Sequence, residues 1–183
     1  SGKSLQDLKV EHGVKSITKN GKISLTYDQI EARESDQLSQ QCRGLILREH
    51  SYEVVAAPMF RFFNMDQGCA APIDWQTAKF EEKRDGTLII GHWDDVLKQW
   101  FVATRSRPEA DLPVDDSSYT FTDLTNIAVK SQTGKETLHQ YMSYVADPTK
   151  TYCFELTSPV NRIVCEYDEF SLTLLAVKDN ITL

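Results

Sequence analysis

No apolar stretch in this chain approaches the roughly 20 residues that a bilayer-spanning helix needs, so a membrane-spanning helix is excluded. The opening residues Ser1-Gly2-Lys3-Ser4 lack the apolar core of a secretion signal. Cysteine is scarce: four among 183 residues, Cys42, Cys69, Cys153 and Cys165, with no pair in C-x-x-C spacing. That spacing rules against a structural zinc site, and the low density rules against a disulfide scaffold. Free thiols in a reducing cytoplasm are expected. Internal repeats and low-complexity tracts are absent. The four histidines, His12, His50, His92 and His139, have no ligand spacing among them and are assigned no catalysis. Positive charge is also short, with 20 Lys and Arg against 27 Asp and Glu, a net charge of −7. A nucleic-acid enzyme usually carries a basic footprint, so this balance predicts weak affinity for long RNA unless another segment supplies charge.

What is present is an apolar share of 40 % with aromatics spread along the chain. That is enough for a packed core and argues against disorder. The length suits one domain, or one domain plus an incomplete second. The basic residues are not evenly spread. Arg43, Arg48, Arg61, Lys79, Lys83, Arg84, Arg105 and Arg107 fall in the middle of the chain, consistent with a local cationic pocket in an acidic domain.

Residues 1–20 read as a short polar helix with a turn at Asn20-Gly21. Ile23 to Tyr27 alternates like a strand. Arg43–Leu47 and Glu53–Ala57 bracket a polar turn and predict a hairpin that Pro58 ends. Lys79–Glu82 and Thr87–Trp93 predict the next strand or pair, with Trp100–Thr104 as hairpin partner. Residues 107–118 read as a surface loop. Thr133 and Glu136 form a candidate capping box, followed by Leu138, Tyr141, Met142 and Val145 at helical spacing, a stripe of core packing. Tyr152–Leu156 and Leu172–Val177 complete the strands. Hairpins dominate, so the fold class is α+β on antiparallel sheets.

The chemically richest run is Lys83-Arg84-Asp85-Gly86-Thr87, followed by Leu88-Ile89-Ile90. On a strand, alternate side chains share a face, so Lys83, Asp85 and Thr87 would project together, with Arg84 on the other face. Gly86, with no Cβ, would admit a ligand close to the backbone. A lysine there can act as a covalent nucleophile if its amine is unprotonated. An amphipathic strand with a solvated lysine is the other reading of the run alone.

Three further blocks accompany it: Cys42-Arg43-Gly44-Leu45-Ile46-Leu47, Pro58-Met59-Phe60-Arg61-Phe62-Phe63-Asn64, and Phe154-Glu155-Leu156-Thr157-Ser158-Pro159-Val160-Asn161-Arg162-Ile163-Val164. In this order they resemble the adenylating domain of ATP-dependent RNA ligases of the phage RNA ligase 1 type, within the superfamily that also holds DNA ligases and capping enzymes. The resemblance runs from about Ile23 to the end. It implies an antiparallel-sheet nucleotidyltransferase fold, ATP-grasp-like in its adenylation, over residues 1–183, with residues 1–20 as a short helical N-terminal extension.

By this resemblance Lys83 attacks the α-phosphate of ATP and becomes Lys-AMP, which requires its pKa to fall from a reference near ~10.4. Arg43 approaches the nucleotide or its phosphates, the alternative being an exposed arginine at a strand end. Arg61 stands where the family more often has lysine on the triphosphate. Tyr27 either lies near the nucleotide or packs the sheet, and Phe62 and Phe63 are expected in the core. Glu82 is expected beside the adenine through its backbone, Asp85 and Gly86 within the nucleotide site, and Arg105 near ribose or phosphates. Glu155 contacts ribose or helps hold Mg²⁺ (or Mn²⁺), and Lys178 faces the pocket. Asn161 and Arg162 are read as structural, tying down the turn after Pro159.

The family's later Glu-Gly strand and Lys-x-Lys strand have no match within the 183 residues. An N-terminal fragment of a longer ligase is therefore expected, incomplete at its C-terminus, binding ATP weakly and self-adenylating poorly. The implied function is three-step RNA ligation on single-stranded or nicked RNA ends, with tRNA repair as the typical use. The expected setting is a cytoplasmic monomer (host cytoplasm for a phage or viral protein) with no membrane partner. The competing reading is a non-catalytic module that binds a nucleotide or RNA end.

Overall fold

The computed structural model describes residues 4–115 and 117–181. Two four-stranded antiparallel sheets are built from β1 (Val14–Lys19), β2 (Lys22–Tyr27), β3 (Arg43–Arg48) and β4 (Val54–Ala56), and from β5 (Thr87–Asp94), β6 (Gln99–Thr104), β7 (Lys150–Thr157) and β8 (Ser171–Asp179). Their orders are β1-β2-β3-β4 and β6-β5-β7-β8. Helices α1 (Leu5–His12) and α2 (Gln37–Gln41) cover the first sheet; α3 (Phe121–Thr133) and α4 (Leu138–Val145) cover the second. The α+β, antiparallel expectation holds.

Strand alternation explains the layering. Ile23, Leu25, Leu45 and Leu47 face α1 and α2 with Val14 and Cys42. Ile46, Val55 and Ala56 face the other way, against Leu88, Ile90, Ala103 and Cys153 of the second sheet. Ile89, Trp100, Val102, Phe154 and Leu156 face α3 and α4, where Leu124, Ala128, Leu138 and Met142 complete the largest core. The strands are therefore buried on both faces over much of their length, which favours the branched and aromatic residues found there.

One end of the space between the sheets is polar. Lys22 of β2 is fully buried, 3.1 Å from Asp94 of β5 and 3.1 Å from Glu109, with its ammonium 3.9 Å from the Phe101 ring centroid. Arg48 at the end of β3 reaches the same Asp94 at 3.2 Å. Burial alone would raise the Asp94 carboxyl, but hydrogen bonds from Arg48, the Leu97 amide and Lys22 outweigh it and hold it well below the usual carboxylate range. Beside them His92 is fully buried, and burial together with Lys22 pushes it down to about 3, so it stays neutral.

Several elements differ from the sequence reading. The N-terminal helix spans only Leu5–His12, closed by a Ser4/Asp7 capping box, and Val14–Lys19 form a strand. Lys79–Glu82 is not a strand. Helix α3 was hidden because its capping box, Thr120 with Asp123, uses aspartate and lies beside the acidic loop. Thr133 ends α3, and the cap of α4 is Thr137, whose hydroxyl accepts from the Gln140 amide. On α4, Leu138 and Met142 are core, whereas Val145 is exposed.

The buried cluster generates a stability prediction. Lys22→Met removes the buried cation between Asp94, which keeps Arg48, and Glu109, which keeps Asn20, and losing one partner of a buried pair costs up to about 3–5 kcal/mol; urea unfolding measures it. Because the Asp94 pKa is depressed by folding, the stability it confers is complete above its ordinary value of 3.8 and is lost as pH falls towards its folded value. Asp94→Asn is expected to flatten that acid limb of the stability–pH curve.

Candidate functional site

The opposite end of the intersheet space gathers the chemically marked residues. Segment 57–86 carries no helix or strand and leads directly into β5. Lys83 lies on it, exposed, ahead of the strand rather than on it. The expectation of a strand lysine with Asp85 and Thr87 beside it is therefore corrected, and the reason is visible in the hydrogen bonds. The Asp85 carboxylate accepts from the Val164 and Cys165 amides, each at 2.7 Å. Those two bonds, with Lys83 nearby, hold the Asp85 pKa low. Thr87 Oγ1 accepts from the Asn161 side-chain amide at 2.7 Å. Both side chains are engaged with the loop after β7, not displayed with Lys83.

Gly86 has a different role from the one expected. A Cβ placed on it would lie 2.1 Å from the Leu156 carbonyl oxygen. The close approach that needs glycine is thus to β7, and no ligand is required to explain it. Gly86 donates its N–H to Glu155 Oε1 at 2.9 Å. The register that sets Leu88 opposite Glu155 makes this bond available. Burial raises the Glu155 pKa, outweighing the Gly86 N–H and the positive charges of Lys83 and Arg43, which pull it down. Glu155 is half-buried on the side of β7 that also carries Cys153.

Arg43 reaches the same side by a backbone device. Its parity along β3 matches Leu45 and Leu47, which face α1 and α2. Gly44 adopts φ +96°, and the β2–β3 register shifts between Leu25 and Thr26. With that break the Arg43 charge acts on Glu155 and Cys153 across the intersheet space. A Cβ on Gly44 would meet Ile90 Cδ1 at 2.6 Å and Arg105 Cα at 3.2 Å, so the glycine also brings Arg105 against β3.

The cations here sit on aromatic rings. Arg43 lies over Phe62 at 4.8 Å, Lys178 over Phe60 at 3.6 Å, and Arg61 over Phe63 at 5.1 Å. Tyr27, 9 % exposed, is flanked by Arg61 at 4.6 Å and Arg105 at 5.1 Å. Among the described residues Lys83, Arg43, Arg105 and Lys178 have no carboxylate within ion-pair distance, and Arg61 has only Glu34 at 3.5 Å. One buried guanidinium nitrogen on each of Arg43 and Arg61 has no hydrogen-bond partner. Burial lowers the Lys178 pKa. Cations held by ring faces keep their N–H donors for another acceptor, and several oxygens of one polyanion would satisfy them.

Phe62 was expected in the core and is instead 62 % exposed, carrying Arg43 on its face. The alternation of Phe60, Arg61, Phe62 and Phe63 was the signal for this arrangement. Glu82 is exposed and its side chain pairs with Arg84 at 3.3 Å. Asn161 ties its own turn through Ser158, as expected, and also reaches Thr87. Tyr167, which carried no sequence signal, accepts the Asp85 N–H at 3.1 Å. All four cysteines are free, and no described cluster of three His, Cys, Asp or Glu residues could hold a metal. Among the described residues no helix is long and apolar enough to cross a membrane.

Two antiparallel sheets thus carry ring-seated cations at one end, with an exposed lysine on the segment that leads into β5. A family model described as RNA ligase matches residues 41–182, so the chain belongs to the RNA ligase family, a family of enzymes. It is 33 % identical to a protein of Autographa californica nuclear polyhedrosis virus, named provisionally as a bifunctional polynucleotide kinase/RNA ligase, over 92 % of this chain and 26 % of that one. It is 24 % identical to an RNA ligase of Rhodothermus phage RM378, over 75 % of this chain and 36 % of that one. The chain thus spans between a quarter and two-fifths of the length of these relatives.

The Gly86 contact yields the test of this geometry. Gly86→Ala must push against β7 backbone, and such overpacking costs about 1–3 kcal/mol. Glu155→Gln keeps an oxygen for the Gly86 N–H and is expected to leave the urea midpoint nearly unchanged, whereas Glu155→Ala lowers stability by about 1 kcal/mol.

Proposed function

We propose that this chain is the nucleotide-binding and lysine-adenylating part of an ATP-dependent RNA ligase, with the nucleotidyltransferase fold of the DNA/RNA ligase superfamily. The observation that carries the reading is the set of ring-seated cations, Arg43, Arg61, Arg105 and Lys178, with a buried unpartnered nitrogen on each of Arg43 and Arg61 and the Arg43 and Lys83 charges acting on Glu155. It supports a triphosphate as ligand, because a polyanion satisfies several fixed donors at once.

In the first step the Lys83 Nζ lone pair attacks the α-phosphorus of ATP. An N–P bond forms, the bond from that phosphorus to the bridging oxygen breaks, and pyrophosphate leaves with the electron pair while the lysine proton passes to solvent. AMP then moves to an RNA 5′-phosphate, and a 3′-hydroxyl displaces it to seal the ends. The arginines and Lys178 would neutralise charge on the phosphates, the main contribution a protein makes to phosphoryl-type transfer. Glu155 is the protein oxygen offered to Mg²⁺ or Mn²⁺, whose remaining ligands would be phosphates and water, as magnesium favours. The RNA is proposed to present single-stranded or nicked ends, tRNA breaks among them, to a monomer working in a cytoplasm, the host's for a phage or viral protein. The Tyr27 ring would act as a seat for Arg61 and Arg105.

The experiment is incubation with α-labelled ATP and magnesium. Acid-labile AMP label is expected on the parent chain and none on Lys83→Ala. Label is expected to accumulate slowly, since neither a Glu-Gly nor a Lys-x-Lys pair occurs in these residues. Arg43→Ala should weaken ATP binding by about tenfold, the loss of one charge-assisted hydrogen bond. ATP binding with no covalent label on the parent would replace this reading with a non-catalytic binding module.

A further inference from the structure

Lys83 lies on a segment that has no strand or helix of its own, yet a nucleophile must stand within a few tenths of an ångström of its productive place. The three residues that follow at short reach supply the anchoring, and all the anchors converge on one feature. The Asp85 carboxylate takes the amides of Val164 and Cys165. The Asp85 N–H is taken by Tyr167 Oη at 3.1 Å. Thr87 Oγ1 takes Asn161 Nδ2, and the Asn161 amide is itself fixed by Ser158 Oγ at 3.0 Å. The Ser158 bond holds the Asn161 backbone N–H, and the residue is 4 % exposed. Arg84 lies 6.0 Å from the Tyr167 ring centroid. Against β7, Gly86 is fixed from the other side by Glu155.

We propose that Tyr167 and Asn161 are positioning residues for Lys83, the two side-chain teeth of a clasp that the 158–167 loop closes on residues 85–87. This rests on Lys83 being the adenylated residue. Each acts on a residue downstream of the lysine, Tyr167 on the Asp85 backbone N–H and Asn161 on the Thr87 hydroxyl. Two residues of extended chain span about 7 Å, so play at Asp85 is passed to Lys83 almost undiminished. The Asp85 side chain belongs to the same clasp, which accounts for its presence without a contact to substrate. The loop is therefore a part of the nucleophile's support that lies far from it in sequence.

The test pairs a mechanical readout with a kinetic one on the whole chain. Tyr167→Phe removes only the hydroxyl and keeps the ring beside Arg84; Asn161→Ala removes the other tooth; Tyr144→Phe, on exposed α4, is the control. Hydrogen-exchange mass spectrometry of the peptide covering residues 79–88 is expected to show exchange faster by about threefold or more in each clasp variant, without lower protection in β2 or β3. In adenylation assays kcat is expected to fall about tenfold with KM for ATP changed less than about twofold, because misplacement impairs chemistry before it impairs binding. The double variant should lose less than the product of the single losses, since both act on one clasp. Unchanged exchange in residues 79–88, or a loss carried by KM with kcat intact, overturns the proposal. If the parent chain takes no AMP label at all, the adenylation reading fails and the catalytic part of the clasp fails with it. Faster exchange would in that case still separate this outcome from an absent clasp.

Discussion

The structure depends first on how two sheets are held face to face, and a buried lysine clamps one end of them. Lys22 reaches from β2 to Asp94 on β5 and to Glu109, while Arg48 grips the same aspartate from β3. A lysine with no exposure is tolerated only when its charge is met, and here two carboxylates and the Phe101 ring meet it. The apolar contacts of Ile46, Ile90, Ala103 and Cys153 then fill the middle of the space. With one end clamped and the middle packed, the width between the sheets at the other end is set as well. Arg43 and Glu155 come from different sheets, so their proximity follows from that width.

The functional end uses the opposite electrostatic strategy. At the clamp, cations meet carboxylates and are consumed. At the site, cations meet rings, and their donors remain available. This resolves the difficulty of an acidic chain in a nucleic-acid enzyme family. A net charge of −7 describes the whole surface, while a phosphate responds to the few charges within a Debye length. Glu155 stands among these cations as a single carboxylate, its pKa raised by burial and pulled down by Lys83 and Arg43, so the local balance of charge is positive.

Much of the fold was legible because strand alternation is a local property. The strands around Ile23, Arg43, Thr87, Trp100, Tyr152 and Leu172 follow from period-two patterning, and their edges differ by a residue or two. Strand β1 was missed because Lys15 and Lys19 on one face and Ser16 and Thr18 on the other leave it without a clear apolar alternation, and it was read as helix and turn. Helix α3 was missed because its start looked like more of the preceding loop. In the site, Lys83, Arg43, Arg61 and Glu155 were named from four short blocks and Arg105 from the strand end after the lysine block; in the structure the Lys83 and Arg43 charges act on Glu155, while Arg61 and Arg105 flank Tyr27. Asp85 and Gly86 were named for a nucleotide, and the protein contacts they also make were not foreseen. Their contacts lie with Glu155, Val164 and Cys165, far along the chain.

The sequence by itself determined the antiparallel α+β character, the family-marking blocks and the identity of the charged residues, because these reside in short windows of residue type and spacing. It could not determine which way those residues turn. The positive φ at Gly44 swings Arg43 to the inner face, the Leu156 carbonyl claims the space above Gly86, and the 158–167 loop draws Asp85 and Thr87 away from Lys83. Each of these outcomes depends on a partner more than 45 positions away or on a break in strand register. Such contacts are settled by packing and hydrogen-bond satisfaction in three dimensions, where no local pattern reports them.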